Sequence, residues 1–300
     1  MVPESDQDSN HINELVEAIF AERNHRPLLV MYYADGYGNM TDQDVRETYE
    51  ELRRPGWTRN QPVEELDVLI HTYGGNPVAA YRIAQVIRDF ARKVVFLVPE
   101  NAYSAGTLLC LAGDEIRLGD YAGLSPIDIT VRAPTSIPSE EIQLLNIDYF
   151  INFTTQCKRV IEQMLKQEGL QCQSMVESPL LEKMVDQIGA LTIGKYFRER
   201  IITGHYAQEL LDNYMFANER NREGLRNEVI RRLLMESPSH DFHMDFHLCQ
   251  NIRLRVLEMS VTESDRTKEL VDFLTELAMR GVICQDIDEE EKAPFIQLFV

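Results

Sequence analysis

Two short strings carry most of the structural information: His71-Thr72-Tyr73-Gly74-Gly75 and Asn101-Ala102-Tyr103-Ser104-Ala105-Gly106-Thr107. Each string follows an apolar run typical of a buried strand, residues 66–70 and 94–98, and each leads into a helical pattern. Consecutive parallel strands end at the same edge of a sheet, so the Gly-Gly turn and the Ser-Ala-Gly turn can meet there. One turn would supply a bare backbone N–H and the other a hydroxyl. A serine nucleophile and its oxyanion hole are built from these two groups.

Strands alternate with helices over the first 120 or so residues, which predicts an α/β fold with a mostly parallel sheet. We predict strands at 28–33, 66–71, 94–98 and 115–118, and helices at 12–22, 41–53, 76–91 and from Ser104. From residue 139 the pattern becomes largely helical, with helices at 139–167, 179–189, 209–216, 221–235 and 262–279 and an apolar tail at 294–300. These patterns predict an N-terminal helix in residues 1–25, a main domain in 26–256, and a C-terminal helix and tail in 257–300.

Composition excludes several classes of protein. Acidic residues outnumber basic ones by 49 to 30, a net charge of −19, which argues against binding nucleic acid or an anionic bilayer. No apolar stretch approaches the roughly 20 residues of a membrane span, and the polar N-terminus is unlike a signal peptide. The five cysteines are scattered without C-x-x-C spacing, so we expect neither disulfides nor a zinc ribbon, and a reducing cytoplasm as the location.

Both strings also permit a purely structural interpretation. Gly74-Gly75 can be a tight turn that needs positive φ, and Ser104 can be an ordinary helix N-cap. The small residues Ala105 and Gly106 favour a site instead, because they leave room for a carbonyl group to approach the backbone. The Gly-Gly turn is not a phosphate loop, since no Lys-Ser/Thr follows it.

Four motifs resemble, in order and spacing, those of the serine dehydrogenase proteinase family, a group with the ClpP/crotonase-like fold. They are Leu69-Ile70-His71-Thr72-Tyr73-Gly74-Gly75, Ala102-Tyr103-Ser104-Ala105-Gly106-Thr107, Gly113-Asp114-Glu115-Ile116 and Leu124-Ser125-Pro126-Ile127-Asp128. The resemblance implies a ClpP/crotonase-like α/β fold, a serine peptidase activity on peptide or protein substrates without a cofactor, and assembly into a homo-oligomer.

The resemblance also implies Ser104 as the nucleophile and the N–H groups of Gly75 and Ala105 as the oxyanion hole. Clp-type relatives carry their general base, a histidine, on the segment that matches residues 124–128, where this chain has none. Ser-Lys relatives carry a lysine near the position of Asn146. Both standard bases are therefore missing.

His240 is the best replacement, because its string aligns with the region from which Clp-type peptidases bring their triad acid. Residues 240–248 alternate between apolar and polar, so an extended conformation would turn His240 inward. The alternative is a buried histidine bonded to a backbone carbonyl. His243 and His247 raise a zinc hypothesis, but alternation separates them from His240, and we predict no metal. Lys195 is the second choice for the base.

The sequence leaves three functional hypotheses to be tested. The first is a serine peptidase that hydrolyses peptide bonds through Ser104, and the second is an inactive scaffold of the same fold that lacks a general base. The third is a crotonase-like enzyme acting on acyl-CoA, which shares the oxyanion hole and needs no nucleophilic serine.

Overall fold

The computed structural model describes residues 6–33, 39–128, 131–132, 144–145, 190–236, 239–240, 242–277 and 295–298. The chain divides into two compact units, one made of residues 1–127 and 203–300 and the other of residues 128–202. Both strings lie in the first unit. The helix predicted at 179–189 and most of the helix predicted at 139–167 fall outside the described residues, as does Asn146. The described residues 144–145 form a strand, so the prediction of a helix is wrong at these two positions.

The described helices, in chain order, are α1 Asp6–Glu22, α2 Asp42–Arg53, α3 Pro77–Phe90, α4 Ala105–Cys110, α5 Ala190–Leu210, α6 Arg222–Leu234, α7 Phe246–Asn251 and α8 Val261–Glu276, and a π-helical turn Leu211–Met215 continues α5. The described strands are β1 Leu28–Tyr32, β2 Val63–His71, β3 Ala91–Val98, β4 Asn101–Ala102, β5 Glu115–Leu118, β6 Gly123–Leu124, β7 Val131–Arg132, β8 Leu144–Leu145, β9 Val256–Glu258 and β10 Phe295–Leu298. In the second unit, β7 and β8 pair antiparallel.

The main sheet has the strand order β10-β1-β2-β3-β5-β9, and its neighbouring strands are all parallel. The prediction of an α/β fold with a mostly parallel sheet is therefore confirmed, and the described C-terminal half is largely helical, as expected. None of the described helices combines the length and the apolar character that crossing a bilayer requires.

The central strands are buried on both faces, which explains their uninterrupted apolar runs. On β2, Val68 and Ile70 belong to an apolar cluster shared with α3 and α4. Leu69, between them, belongs to the cluster formed with α1 and α8 on the opposite face. Because side chains alternate along a strand, one run of residues fills both helical layers.

A small second sheet starts where β2 ends. Thr72 forms a parallel bridge with Ala102 of β4, β4 pairs with β6, and Leu124 of β6 forms an antiparallel bridge with Met244. This sheet brings four distant parts of the chain side by side, and both strings run through it.

The segment around residues 240–248 is extended for less of its length than the alternation predicts. Met244 pairs with Leu124, but a helix, α7, begins at Phe246. The cause is local: the side chain of Asp245 accepts a hydrogen bond from the N–H of Leu248 at 2.8 Å and caps this helix. The apolar tail provides the edge strand β10, which pairs with β1.

Candidate active site

The ends of β2 and β4 lie side by side, so the two strings are neighbours in space. The N–H of Thr72 donates to the carbonyl of Asn101 at 2.9 Å, and the N–H of Tyr103 donates to the carbonyl of Thr72 at 3.0 Å. These ladder bonds hold the Gly-Gly turn against the turn that carries Ser104.

Ser104 has an unusual backbone conformation at the start of α4. Its φ is 51° and its ψ is −113°, a region that costs a residue with a side chain about 1–3 kcal/mol. Two buried groups hold it there: the N–H of Ser104 donates to Oγ of Ser125 at 2.7 Å, and the N–H of Ser125 donates to Oγ1 of Thr107 at 3.0 Å.

The Ser104 hydroxyl does not act as a helix cap. Among the residues that the structure describes, no group forms a hydrogen bond with it, and the side chain is half-buried, so solvent reaches it. The N-cap interpretation therefore does not account for this serine.

Gly74 packs directly on Ser104. A Cβ at Gly74 would lie 2.8 Å from Cβ and 3.3 Å from Oγ of Ser104, and its φ is +116°. Gly75 has a φ of +145°, and a Cβ there would lie 2.3 Å from the backbone nitrogen of Met40. Gly74 must lack a side chain because Ser104 fills that space, and Gly75 must lack one because the backbone of Met40 does.

Each of the two turns has one backbone N–H group that is not used in its local pairing. The bridge to Met40 uses the carbonyl of Gly74 and the N–H of Asn76, and the N–H of Gly75 bonds to no group in the described parts of the chain. Ala105 is the first residue of α4, where a backbone N–H has no partner within the helix.

His71 contacts Tyr73 edge-to-face, with ring centroids 5.8 Å apart, and a second imidazole, that of His243, reaches this region from a distant segment. Its Nδ1 is 2.8 Å from the hydroxyl oxygen of Tyr103, and the two are hydrogen-bonded. Its ring occupies the space above Gly123, where a Cβ would lie 2.2 Å from Cε1 of the ring. Tyr103 also makes an edge-to-face contact with Tyr73, with ring centroids 5.8 Å apart.

His240 is half-buried, and its hydrogen bonding does not involve the Ser104 hydroxyl. Its role as a base stays a prediction, since its neighbour at position 241 lies outside the described residues. Lys195 is exposed on α5. Within the described ranges, no cluster of three or more His, Cys, Asp or Glu side chains could hold a metal ion.

The two described cysteines are poor candidates for the nucleophile. Burial raises the pKa of the Cys249 thiol to about 12 and raises the pKa of the Cys110 thiol further. Both thiols stay protonated near neutral pH, so neither is poised to act as a nucleophile.

Sequence reasoning missed Ser125 as a support for Ser104 and His243 as a partner of Tyr103. Ser125 lies within one of the motifs, but nothing in the sequence says which backbone group its hydroxyl contacts. Tyr103 and His243 are separated by 140 positions. Only the pairing of Leu124 with Met244 brings them together.

Two uncharacterised proteins of one archaeal species are similar to parts of this chain. The protein MJ0137 of Methanocaldococcus jannaschii is 34% identical over 92 residues, which are 31% of this chain and 30% of that protein. A second protein of the same organism, MJ1495, is 36% identical over 63 residues, 21% of this chain and 22% of its own length. The matches thus span less than a third of the length of either relative.

Two solved structures are similar in outline. One is a lysine-to-alanine mutant of the 1510-N membrane-bound stomatin-specific protease in complex with a substrate peptide, with 12% identity, a TM-score of 0.44, and coverage of 79% of this chain and 78% of that one. The other is a serine-to-alanine mutant of the same protease, with 15% identity, a TM-score of 0.32, and coverage of 46% and 63%.

The family that matches is described as ClpP-like SDH-type serine proteinase, and the match covers residues 40–207. This stretch is more than half of the chain, and it contains the Gly-Gly turn, Ser104 and Ser125. The resemblance stated from the four motifs is confirmed: the chain belongs to the ClpP-like SDH-type serine proteinase family.

Proposed function

We propose that this protein is a serine peptidase in which Ser104 is the nucleophile. The observation that carries the proposal is the conformation of Ser104 itself. Its hydroxyl is reachable from solvent and unused by the helix, although the backbone is strained at this position. Strain of this kind concentrates at active sites, where the surrounding structure maintains it.

The reaction would proceed through an acyl-enzyme. Oγ of Ser104 attacks the peptide carbonyl carbon and forms the C–O bond, while a base removes the hydroxyl proton. The N–H groups of Gly75 and Ala105 stabilise the negative carbonyl oxygen of the tetrahedral intermediate. The C–N bond then breaks as the amine takes up the proton, and water hydrolyses the ester to release the acid and free Ser104.

We propose His240 as the base. Support comes from the position of its segment. Met244, which follows His240 by four residues, pairs with Leu124. The residue after Leu124 is Ser125, whose hydroxyl accepts the hydrogen bond from the N–H of Ser104. A base lost by mutation typically costs 10²–10⁴-fold in rate. A different observation favours the second function, an inactive scaffold: among the described residues, no base contacts the Ser104 hydroxyl.

A fluorophosphonate probe separates the two functions, because it labels only an activated hydroxyl. We expect labelling of the full chain at Ser104, loss of labelling in Ser104→Ala, and a loss of about 10²-fold or more in His240→Ala. His247→Ala is the matched control, since His247 is exposed on α7, and should label at the normal rate. Absence of labelling from pH 6 to pH 10 would reject the peptidase and support the scaffold.

We further propose peptides or proteins as substrates, a cytoplasmic location, and a homo-oligomer as the working form. The acidic composition and the free, buried Cys110 and Cys249 support a reducing compartment. Sedimentation velocity of the full chain measures the assembly state.

A further inference from the structure

We propose that Tyr73 and Tyr103 form the wall that binds an apolar side chain of the substrate next to the scissile bond, and that His243 fixes the position of this wall. The proposal rests on the peptidase function above and adds to it a substrate class and a positioning residue.

The two tyrosines lie on the same face of the small second sheet. Thr72 and Ala102, which precede them, pair with each other and are fully buried on the other face. Because side chains alternate along extended segments, Tyr73 and Tyr103 share the opposite face. Tyr73 is 44% exposed and Tyr103 is half-buried, so neither side chain is fully buried in the core.

Both rings are attached next to the proposed reacting groups in the chain. Tyr73 immediately precedes the Gly-Gly turn and Tyr103 immediately precedes Ser104. The ring planes are nearly perpendicular, at 87°, and the hydroxyl of Tyr73 accepts a hydrogen bond from Nδ2 of Asn101 at 3.2 Å. Two rings fixed at right angles beside a nucleophile present an L-shaped apolar surface, which suits an aliphatic or aromatic side chain.

His243 limits the movement of one side of this wall. A tyrosine on a solvent-facing strand can rotate about two side-chain bonds, and the 2.8 Å hydrogen bond between its hydroxyl and Nδ1 of the exposed His243 restricts that rotation for Tyr103. The bond depends on Gly123, whose missing side chain makes room for the imidazole. His243 therefore acts through Tyr103 and is a positioning residue.

The test uses two peptidyl phosphonate probes that differ only in the side chain next to phosphorus, benzyl or methyl, with the labelling rate of Ser104 as the measurement. We expect the benzyl probe to label the unmodified full chain about tenfold faster, a preference typical of one additional aromatic contact in a partly open pocket. In Tyr103→Ala this ratio should fall to about one.

The positioning role has its own variants. His243→Ala and Gly123→Ala, which removes no hydrogen-bonding group but displaces the imidazole, should both lower the benzyl-to-methyl ratio to about three. His243→Asn keeps an acceptor in reach and should restore most of the ratio, whereas a merely structural role would not distinguish it from His243→Ala. The control His247→Ala should keep the full ratio.

Each outcome has one interpretation. If a small alkyl fluorophosphonate fails to label Ser104, the peptidase function is wrong and this inference falls with it. If that probe labels Ser104 but the benzyl-to-methyl ratio is near one, or Tyr103→Ala leaves the ratio unchanged, only the aromatic wall is refuted. If Tyr103→Ala changes the ratio while His243→Ala and Gly123→Ala do not, only the role of His243 is refuted.

Discussion

The contact between Gly106 and Thr72 allows a direct test of how the two strings pack. A Cβ on Gly106 would lie 2.4 Å from Cγ2 of Thr72, far closer than two carbon atoms can approach. Thr72 is fully buried, and its Oγ1 accepts a hydrogen bond from the N–H of Gly74 at 3.0 Å, so the side chain cannot rotate away without losing that bond. Gly106→Ala should therefore push the two segments apart, and Thr72→Ser should make the space again while keeping the hydroxyl.

The structure allows the size of the effect to be worked out. Overpacking of one methyl costs about 1–3 kcal/mol, and the gain in helix propensity from glycine to alanine returns up to about 1, so Gly106→Ala should lose about 1–2 kcal/mol. Thr72→Ser deletes one buried methyl and should lose about 1 kcal/mol. The double variant exchanges one methyl for another, so its loss should be about 0–1 kcal/mol instead of the additive 2–3. The coupling free energy is thus about 2 kcal/mol.

Urea unfolding followed by circular dichroism measures the four free energies of unfolding. Gly194→Ala is the matched control, because Gly194 is also helical and a Cβ there meets nothing within 4 Å, so this variant should lose no stability. Losses from Gly106→Ala and Thr72→Ser that add within about 0.5 kcal/mol would mean that the two residues do not touch, and the juxtaposition of the strings would be refuted.

Two further predictions concern buried charge and backbone. Arg23 pairs with the buried Asp67 at 2.7 Å, so Arg23→Met should cost about 3–5 kcal/mol in the free energy of unfolding at pH 7. Arg26, 3.8 Å from Asp67, would then be the remaining cation of this pair. Burial already raises the pKa of Asp67, and losing the Arg23 hydrogen bond, which lowers that pKa, should raise it further; the stability loss should therefore shrink as the pH falls from 7 towards this raised pKa, whereas a pH-independent loss would contradict this account. Gly75→Ala combines a positive φ with a clash on Met40 and should cost about 3–5 kcal/mol by urea unfolding, against about 1–2 for Gly56→Ala, which has a φ of +85° and open space; equal losses would exclude the clash.

The sequence predicts the central elements of the fold because their signals are local. The runs at 66–70 and 94–98 are long, apolar and bounded by turns, and both lie within buried parallel strands. The edge strand β10 could not be predicted in the same way. Its four residues join the sheet through β1, which is more than 260 positions away, and nothing local specifies that pairing. From residue 246 on, a single capping residue, Asp245, outweighs the alternating pattern, so a helix begins where that pattern would also have allowed an extended segment.

The candidate site shows the same difference between features set by local sequence and features set by long-range pairing. That the Gly-Gly turn and Ser104 lie side by side can be predicted from the sequence, because consecutive parallel strands end at the same edge of a sheet, whereas the roles proposed for Ser104, Gly75 and Ala105 come from the family resemblance. The supports of these residues cannot be predicted in this way. Ser125 bonds to a backbone N–H, and His243 contacts Tyr103 only because β6 pairs with a segment 120 positions further on.

The supports explain why a strained serine persists in this fold. A φ of 51° at Ser104 costs about 1–3 kcal/mol, and a serine that served only as a helix cap could avoid this cost in the extended conformation that caps adopt. Instead, the N–H of Ser104 bonds to Ser125, and the N–H of Tyr103 bonds to Thr72. Each bond stabilises by about 1 kcal/mol, so together they offset the strain. Because both bonds use backbone groups of the turn, the hydroxyl is left without a structural task, which is the condition that a nucleophile requires.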